Sequence, residues 1–199
     1  GNIGKNKKVN KLQVFQVSRI AAHKDQITSM SFSSDNTKFL TSSKVKTIKV
    51  HEVKTEKLIL NISDLGHMIT SAQFYNKDDH ILSTSLDSKI HVHNIEGFEI
   101  ESISSLNISE MLISEKYKLI ILSAPILRAV LVYDIDTKKE KNKIIINDTI
   151  INIAISRIDK GENLLINSSN LTPVISLHNL KNCNLIRKFF GHRQERLTT

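Results

Sequence analysis

The sequence predicts an all-β fold built from about four consecutive units of four short strands, and two recurring landmarks carry that reading. Each unit opens with three apolar residues at i, i+3 and i+5. These are Ile27, Met30 and Phe32; Ile69, Ala72 and Phe74; Ile108, Met111 and Ile113; and Ile150, Ile153 and Ile155. The starts lie 42, 39 and 42 residues apart. Each unit later carries a ring-bearing residue followed by a polar one: His51-Glu52, His93-Asn94, Tyr133-Asp134 and His178-Asn179. These pairs stand 42, 40 and 45 residues apart. Two independent landmarks holding one period indicate the blades of a β-propeller.

Taken in order, residues 1–11 form a basic N-terminal tail. Residues 12–20 alternate β-branched, aromatic and polar side chains and read as one isolated strand. The first unit (21–62) predicts strands over 26–33, 37–42, 47–53 and 57–62, with the first turn marked by Ser34-Asp35-Asn36. The second (63–103) predicts 68–75, 81–84, 88–94 and 98–103. The third (104–146) predicts 108–114, 119–123, 129–135 and 143–146. The fourth (147–190) predicts 149–156, 163–166, 174–179 and 185–189. No stretch shows helical periodicity. The propeller region spans 12–196, and 191–199 reads as the start of a further, truncated repeat. Four units are fewer than the seven blades expected of a closed ring of this kind, so the expected object is an arc, a fragment of a larger propeller.

The chain has 199 residues, 40% hydrophobic and 24% charged, the balance of a globular domain with a real core. The net charge is +8, but Lys and Arg are spread along the chain with acids among them. A solvated surface explains this better than a nucleic-acid interface, so nucleic acid is not an expected partner. Cys183 is the single cysteine, which excludes an internal disulfide and a cysteine-based metal cluster. The expected location is a reducing compartment, the cytoplasm or also the nucleus. No apolar run approaches the length of a membrane span, and no membrane partner is expected.

The candidate functional residues are structural. Gly66-His67 and Gly191-His192 precede unit starts, and Ala22-His23 nearly repeats them. These residues, with the ring–polar pairs, resemble the WD-repeat family, which carries Gly-His before each first strand and Trp-Asp at the end of each third. Tryptophan is replaced everywhere here by His or Tyr, and the aspartate survives only as Asp134. The resemblance implies a hydrogen-bonded brace in each blade. In the second unit it would run through His67, Ser83, Asp87 and His93. In the first it would use His23, Thr41 and His51, with Val45 where the aspartate belongs. Such networks stabilise only when every member is satisfied. Ser83, His67 and Asp87 can be drawn as a catalytic triad, but no nucleophile elbow surrounds the serine. His91 and His93 share a strand face, yet no carboxylate or cysteine cluster completes a metal site. Neither an enzyme activity nor a cofactor is expected.

Residues 23–53 and 150–193 are also similar to blades of the WD-repeat scaffold subunit of the GID/CTLH ubiquitin-ligase complex. The matching stretches are Asn36-Thr37-Lys38-Phe39-Leu40-Thr41, Leu164-Leu165-Ile166-Asn167 and Gly191-His192-Arg193-Gln194. That likeness implies a non-catalytic scaffold in proteasome-dependent degradation, with RING and CTLH-type subunits as partners. A generic WD-repeat adaptor in RNA processing or trafficking is the competing expectation. The helical LisH/CTLH region of that family is not found in this sequence.

Overall fold

A computed structural model describes residues 18–63, 65–158, 161–169 and 173–190. They form sixteen strands in four antiparallel sheets, each sheet taking its strands in chain order. Blade 1 holds β1 (Ile27–Phe32), β2 (Lys38–Ser43), β3 (Thr47–Glu52) and β4 (Leu58–Ile62). Blade 2 holds β5 (Ile69–Tyr75), β6 (His80–Ser85), β7 (Lys89–Asn94) and β8 (Glu99–Ser104). Blade 3 holds β9 (Glu110–Ser114), β10 (Leu119–Ala124), β11 (Ala129–Asp134) and β12 (Glu140–Ile145). Blade 4 holds β13 (Ile150–Ile158), β14 (Gly161–Ser169), β15 (Pro173–Asn179) and β16 (Leu185–Phe190). The all-β, four-blade propeller architecture read from the period is the one observed.

The landmarks now have a mechanical meaning. Side chains in a strand alternate between faces, so positions i and i+3 share a face only if the strand carries a bulge. Register shifts occur between Ile27 and Ser29, between Ile69 and Ser71, and between Ile150 and Asn152. The ring residue marks a second bulge. Pairing of the third and fourth strands slips at His51, His93, Tyr133 and His178 in turn.

Some boundaries differ from expectation. β12 begins at Glu140, earlier than the predicted 143, and β14 runs two residues beyond each end or more. In β14 the polar ends keep the alternation, with Glu162 and Ser168 buried beside Leu164 and Ile166, so ladder pairing extends the strand past its apolar centre. A short 3-10 turn at Pro125–Leu127, unforeseen in the sequence, joins β10 to β11. Of the strand predicted over 12–20, residues up to 17 lie outside the described residues, and 18–20 carry no strand. The basic tail and the truncated repeat at 191–199 also lie outside them.

The core lies in three seams between neighbouring blades. Leu40, Ile48, Val50 and Ile62 meet Ile69, Ala72, Phe74 and Ile81 between blades 1 and 2. Leu82, Ile90 and Val92 meet Met111, Ile113, Ile120 and Leu122 between blades 2 and 3. Ile121, Val130 and Val132 meet Ile153, Leu164 and Ile166 between blades 3 and 4. Burial of this apolar surface is the main drive for stacking. Polar links reinforce each seam. The Ala72 N–H donates to Ser29 Oγ at 2.9 Å, Gln73 Nε2 to the Met111 carbonyl at 2.8 Å, and the Ile153 N–H to Glu110 at 2.9 Å. On the lower rim, the Ser34 N–H donates to Asp78, the Asn76 N–H to Glu115 and the Ser114 hydroxyl to Glu162. In each case an acid of one blade, from the first turn for Asp78 and Glu115 and from the start of β14 for Glu162, is the acceptor for the preceding blade.

Candidate interaction face and the blade braces

In blade 1, His23 pairs through Nε2 with Thr41 Oγ1 at 2.8 Å and through Nδ1 with Thr47 Oγ1 at 2.7 Å. Two of the three residues expected to brace this blade are therefore joined. His51 is not part of the chain. Its ring is buried, stacks on Phe39 with centroids 5.2 Å apart, and its Nδ1 has no partner.

In blade 2 the structure draws the brace through other residues than those read from the sequence. Asp87 accepts from the Ser85 hydroxyl, from the Lys89 N–H at 3.0 Å and from His91 Nε2 at 2.9 Å. His91 in turn meets Glu99 through Nδ1 at 3.0 Å. His67 is exposed, and Ser83 Oγ and His93 Nδ1 are buried without partners. The reason is register. Ser85, not Ser83, ends β6 beside the turn, and His91 lies four residues from Asp87 on the adjoining strand. Only Asp87 of the four expected residues takes part.

The polar member of each ring–polar pair closes the turn that follows its strand. Asn94 accepts from the Phe98 N–H at 2.9 Å, Asp134 from the Thr137 N–H at 2.9 Å and Asn179 from the Lys181 N–H at 2.9 Å. Glu52 accepts from the Thr55 hydroxyl. The ring members stay on the inner side of the bulge. His178 bonds Ser176 and the Cys183 carbonyl, both at 3.1 Å. Tyr133 packs against the seam between blades 2 and 3.

Electrostatics follow burial. Desolvation holds the imidazoles of His23, His51, His93 and His178 below the ordinary histidine value. Burial pushes the Asp87 carboxyl up, but its bonds from Ser85 and His91 outweigh this and leave it below its usual value. Burial raises Glu110. Among the described residues, no three His, Cys, Asp or Glu side chains are grouped so as to hold a metal ion. No described helix is long and apolar enough to cross a membrane.

Val45 occupies the position in blade 1 that Asp87 occupies in blade 2. Val45→Asp would find Ser43 Oγ where Asp87 finds Ser85, and Lys49 where it finds His91. His23 already uses both ring nitrogens and is not needed. The substitution is expected to stabilise the chain by about 1 kcal/mol, the worth of a made hydrogen bond. Chemical denaturation of the two proteins checks it, and an unchanged or lowered midpoint would refute the equivalence.

At the upper rim second strands turn into third strands. Blade 3 places Pro125–Leu127 there, and its Ile126 is 77% exposed. Ile126, Ile27, Leu86 and Met68 line a cleft of about 450 Å³ with Asn107 and Thr70. Val45, Leu106 and Leu127 add exposed apolar area outside it. Core packing does not require these side chains to point into water.

The sheet order and the seams define an all-β propeller of four four-stranded antiparallel blades. Residues 14–52 match the family model described as "WD domain, G-beta repeat". That match and the four-blade architecture together support a WD-repeat propeller protein. No curated protein matches the chain.

Proposed function

We propose that the chain is a non-catalytic scaffold that binds other proteins through its upper rim. The exposed Ile126 turn above the apolar cleft carries this reading. A proline-set turn presents the side chain rigidly, so little entropy is lost when a partner covers it. The resemblance to the GID/CTLH scaffold subunit read from the sequence at residues 23–53 and 150–193 motivates a finer assignment. On it, the chain holds RING and CTLH-type subunits of a ubiquitin ligase in proteasome-dependent degradation, in the cytoplasm or nucleus.

Affinity purification of the tagged chain from its own cells tests both levels. The expected result is recovery of a RING-containing subunit together with helical CTLH-type subunits. Ile126→Asp is expected to lower that recovery at least about tenfold, as for loss of a buried interface anchor, without lowering the melting temperature. Partners recovered without a RING subunit would defeat the ubiquitin-ligase assignment. Recovery indifferent to Ile126→Asp would defeat the rim as the binding surface.

A further inference from the structure

The upper rim is one-sided in charge as well as apolar at its cleft. Hydrogen bonds between connections fix which loops share that rim. The Lys44 N–H donates to the Gln26 carbonyl at 3.1 Å, the Leu86 N–H to that of Met68 at 3.0 Å and the Ile146 N–H to that of Arg128 at 2.9 Å. Five exposed cations stand on these loops: Lys24, Lys44, Lys46, Lys89 and Arg128. None of them pairs with a described acid. The described acids of the same loops are each engaged by a neighbouring backbone N–H. Asp25 accepts from Gln26 at 2.6 Å, Asp87 from Lys89 at 3.0 Å and Asp148 from Thr149 at 2.8 Å. The lower rim is mixed by comparison, with Asp78, Asp79 and Glu115 standing among Lys77, Lys116 and Lys118. The cations of the upper rim also keep close to the cleft. Lys24 is near Gln26 in the chain, Lys89 near Leu86 and Arg128 near Ile126, and all three of those neighbours line it.

We infer that the cleft takes an acidic segment of a partner protein, with one large apolar side chain seated against Ile126 and Asp or Glu residues on either side of it. This rests on the reading that the upper rim binds partners, and it adds the chemistry of what is bound. Charge complementarity selects the occupant: carboxylates beside the anchor meet Lys44, Lys46 and Arg128, and the same charges steer the encounter. A cleft of about 450 Å³ takes side chains of an extended segment rather than a folded domain. Most of its wall comes from blades 2 and 3, each of which is packed against a blade on both sides. Two other anionic partners fit less well. RNA strands are held by stacking bases on aromatic rings, and no Phe, Tyr or Trp stands among the described residues of these loops. A bilayer surface takes apolar side chains that project together, whereas Met68 and Ile69 are drawn back into the wall of a concave site.

Selection from a random peptide library displayed on phage, with the 199-residue chain as bait, tests the inference. The expected result is enrichment of peptides with one large apolar residue flanked by Asp or Glu. Fluorescence anisotropy with the strongest of them is expected to show affinity falling at least about tenfold between about 0.05 and about 0.5 M NaCl. Lys44→Glu combined with Arg128→Glu changes two exposed side chains and should leave the circular dichroism spectrum unchanged. This variant is expected to bind the peptide at least about tenfold more weakly. A peptide with lysines in place of its acids is expected to bind the variant better than the parent chain, a rescue that a misfolded variant could not show. Enrichment of neutral or basic peptides would overturn the inference, and their loss with Ile126→Asp would leave the rim standing as the binding surface. Acidic peptides indifferent to Ile126→Asp would overturn the rim reading as well. The absence of any enriched peptide would overturn the inference. So would binding of phosphatidylserine vesicles or random single-stranded RNA in place of acidic peptides, abolished in the charge-reversed variant.

Discussion

Met111→Ala is expected to cost about 2–5 kcal/mol of folding stability, whereas Met30→Ala is expected to cost less than about 0.5 kcal/mol. The two methionines occupy the same landmark position in blades 3 and 1. Met111 is 0% exposed in the seam between blades 2 and 3, amid Leu82, Val92 and Leu122. Truncating it removes transfer free energy and leaves a cavity that neighbouring sheets cannot collapse into, because both are held by ladder hydrogen bonds. Met30 lies on an open face, so truncation leaves no cavity. Urea denaturation followed by circular dichroism measures the difference. Equal losses for the two variants would mean that blade 1 is covered within a single chain.

Lowering the pH from about 7.5 to about 5.5 is expected to reduce the melting temperature by about 5 °C. His23, His51, His93 and His178 have folded-state values below the ordinary histidine value of about 6.5, chiefly because burial penalises the charged ring. Above 6.5 both folded and unfolded chains hold these rings neutral, and their contribution to stability is complete. As the pH falls through 6.5 the unfolded chain takes up protons first, so stability is lost on the acid side. Partial contact with water screens the effect, and the four rings together contribute about 1–2 kcal/mol. For a chain of this length that corresponds to a few degrees. The carboxylates with lowered values, such as Asp87, lose their contribution only at more acidic pH, whereas Glu110, raised by burial, gains stability on the acid side and opposes the histidines. His51→Phe should flatten the dependence, since its Nδ1 has no partner to lose and its ring already stacks on Phe39. A melting temperature that is flat or rising toward pH 5.5 would exclude the mechanism.

The period was legible because propeller seams demand apolar side chains at positions set by local backbone geometry. The spacing Ile69, Ala72, Phe74 records a bulge and one strand face in three residues, and it survives replacement of the polar signature. The ring–polar pairs were visible for the same reason: His93 marks a bulge, and Asn94 closes the next turn. The brace was less legible. Both Ser83 and Ser85 stand on β6 and both His91 and His93 on β7, so residue type cannot choose between them. The choice of Ser85 and His91 came from where β6 ends and how its turn curls. Nor did the sequence mark the upper rim. Pro125 and Ile126 fall in the gap between the predicted strands 119–123 and 129–135, and only their projection beyond the ends of β10 and β11 makes Ile126 an exposed peg.

Local chemistry in the chain thus dictated the strands, their bulges and the four-fold repetition, because each depends on residues a few positions apart. Which face of each blade meets water depended on neighbours some forty residues away. Met30 and Met111 are the same residue in the same motif, and among the described residues only Met111 has a blade before it, which makes it core while Met30 is exposed.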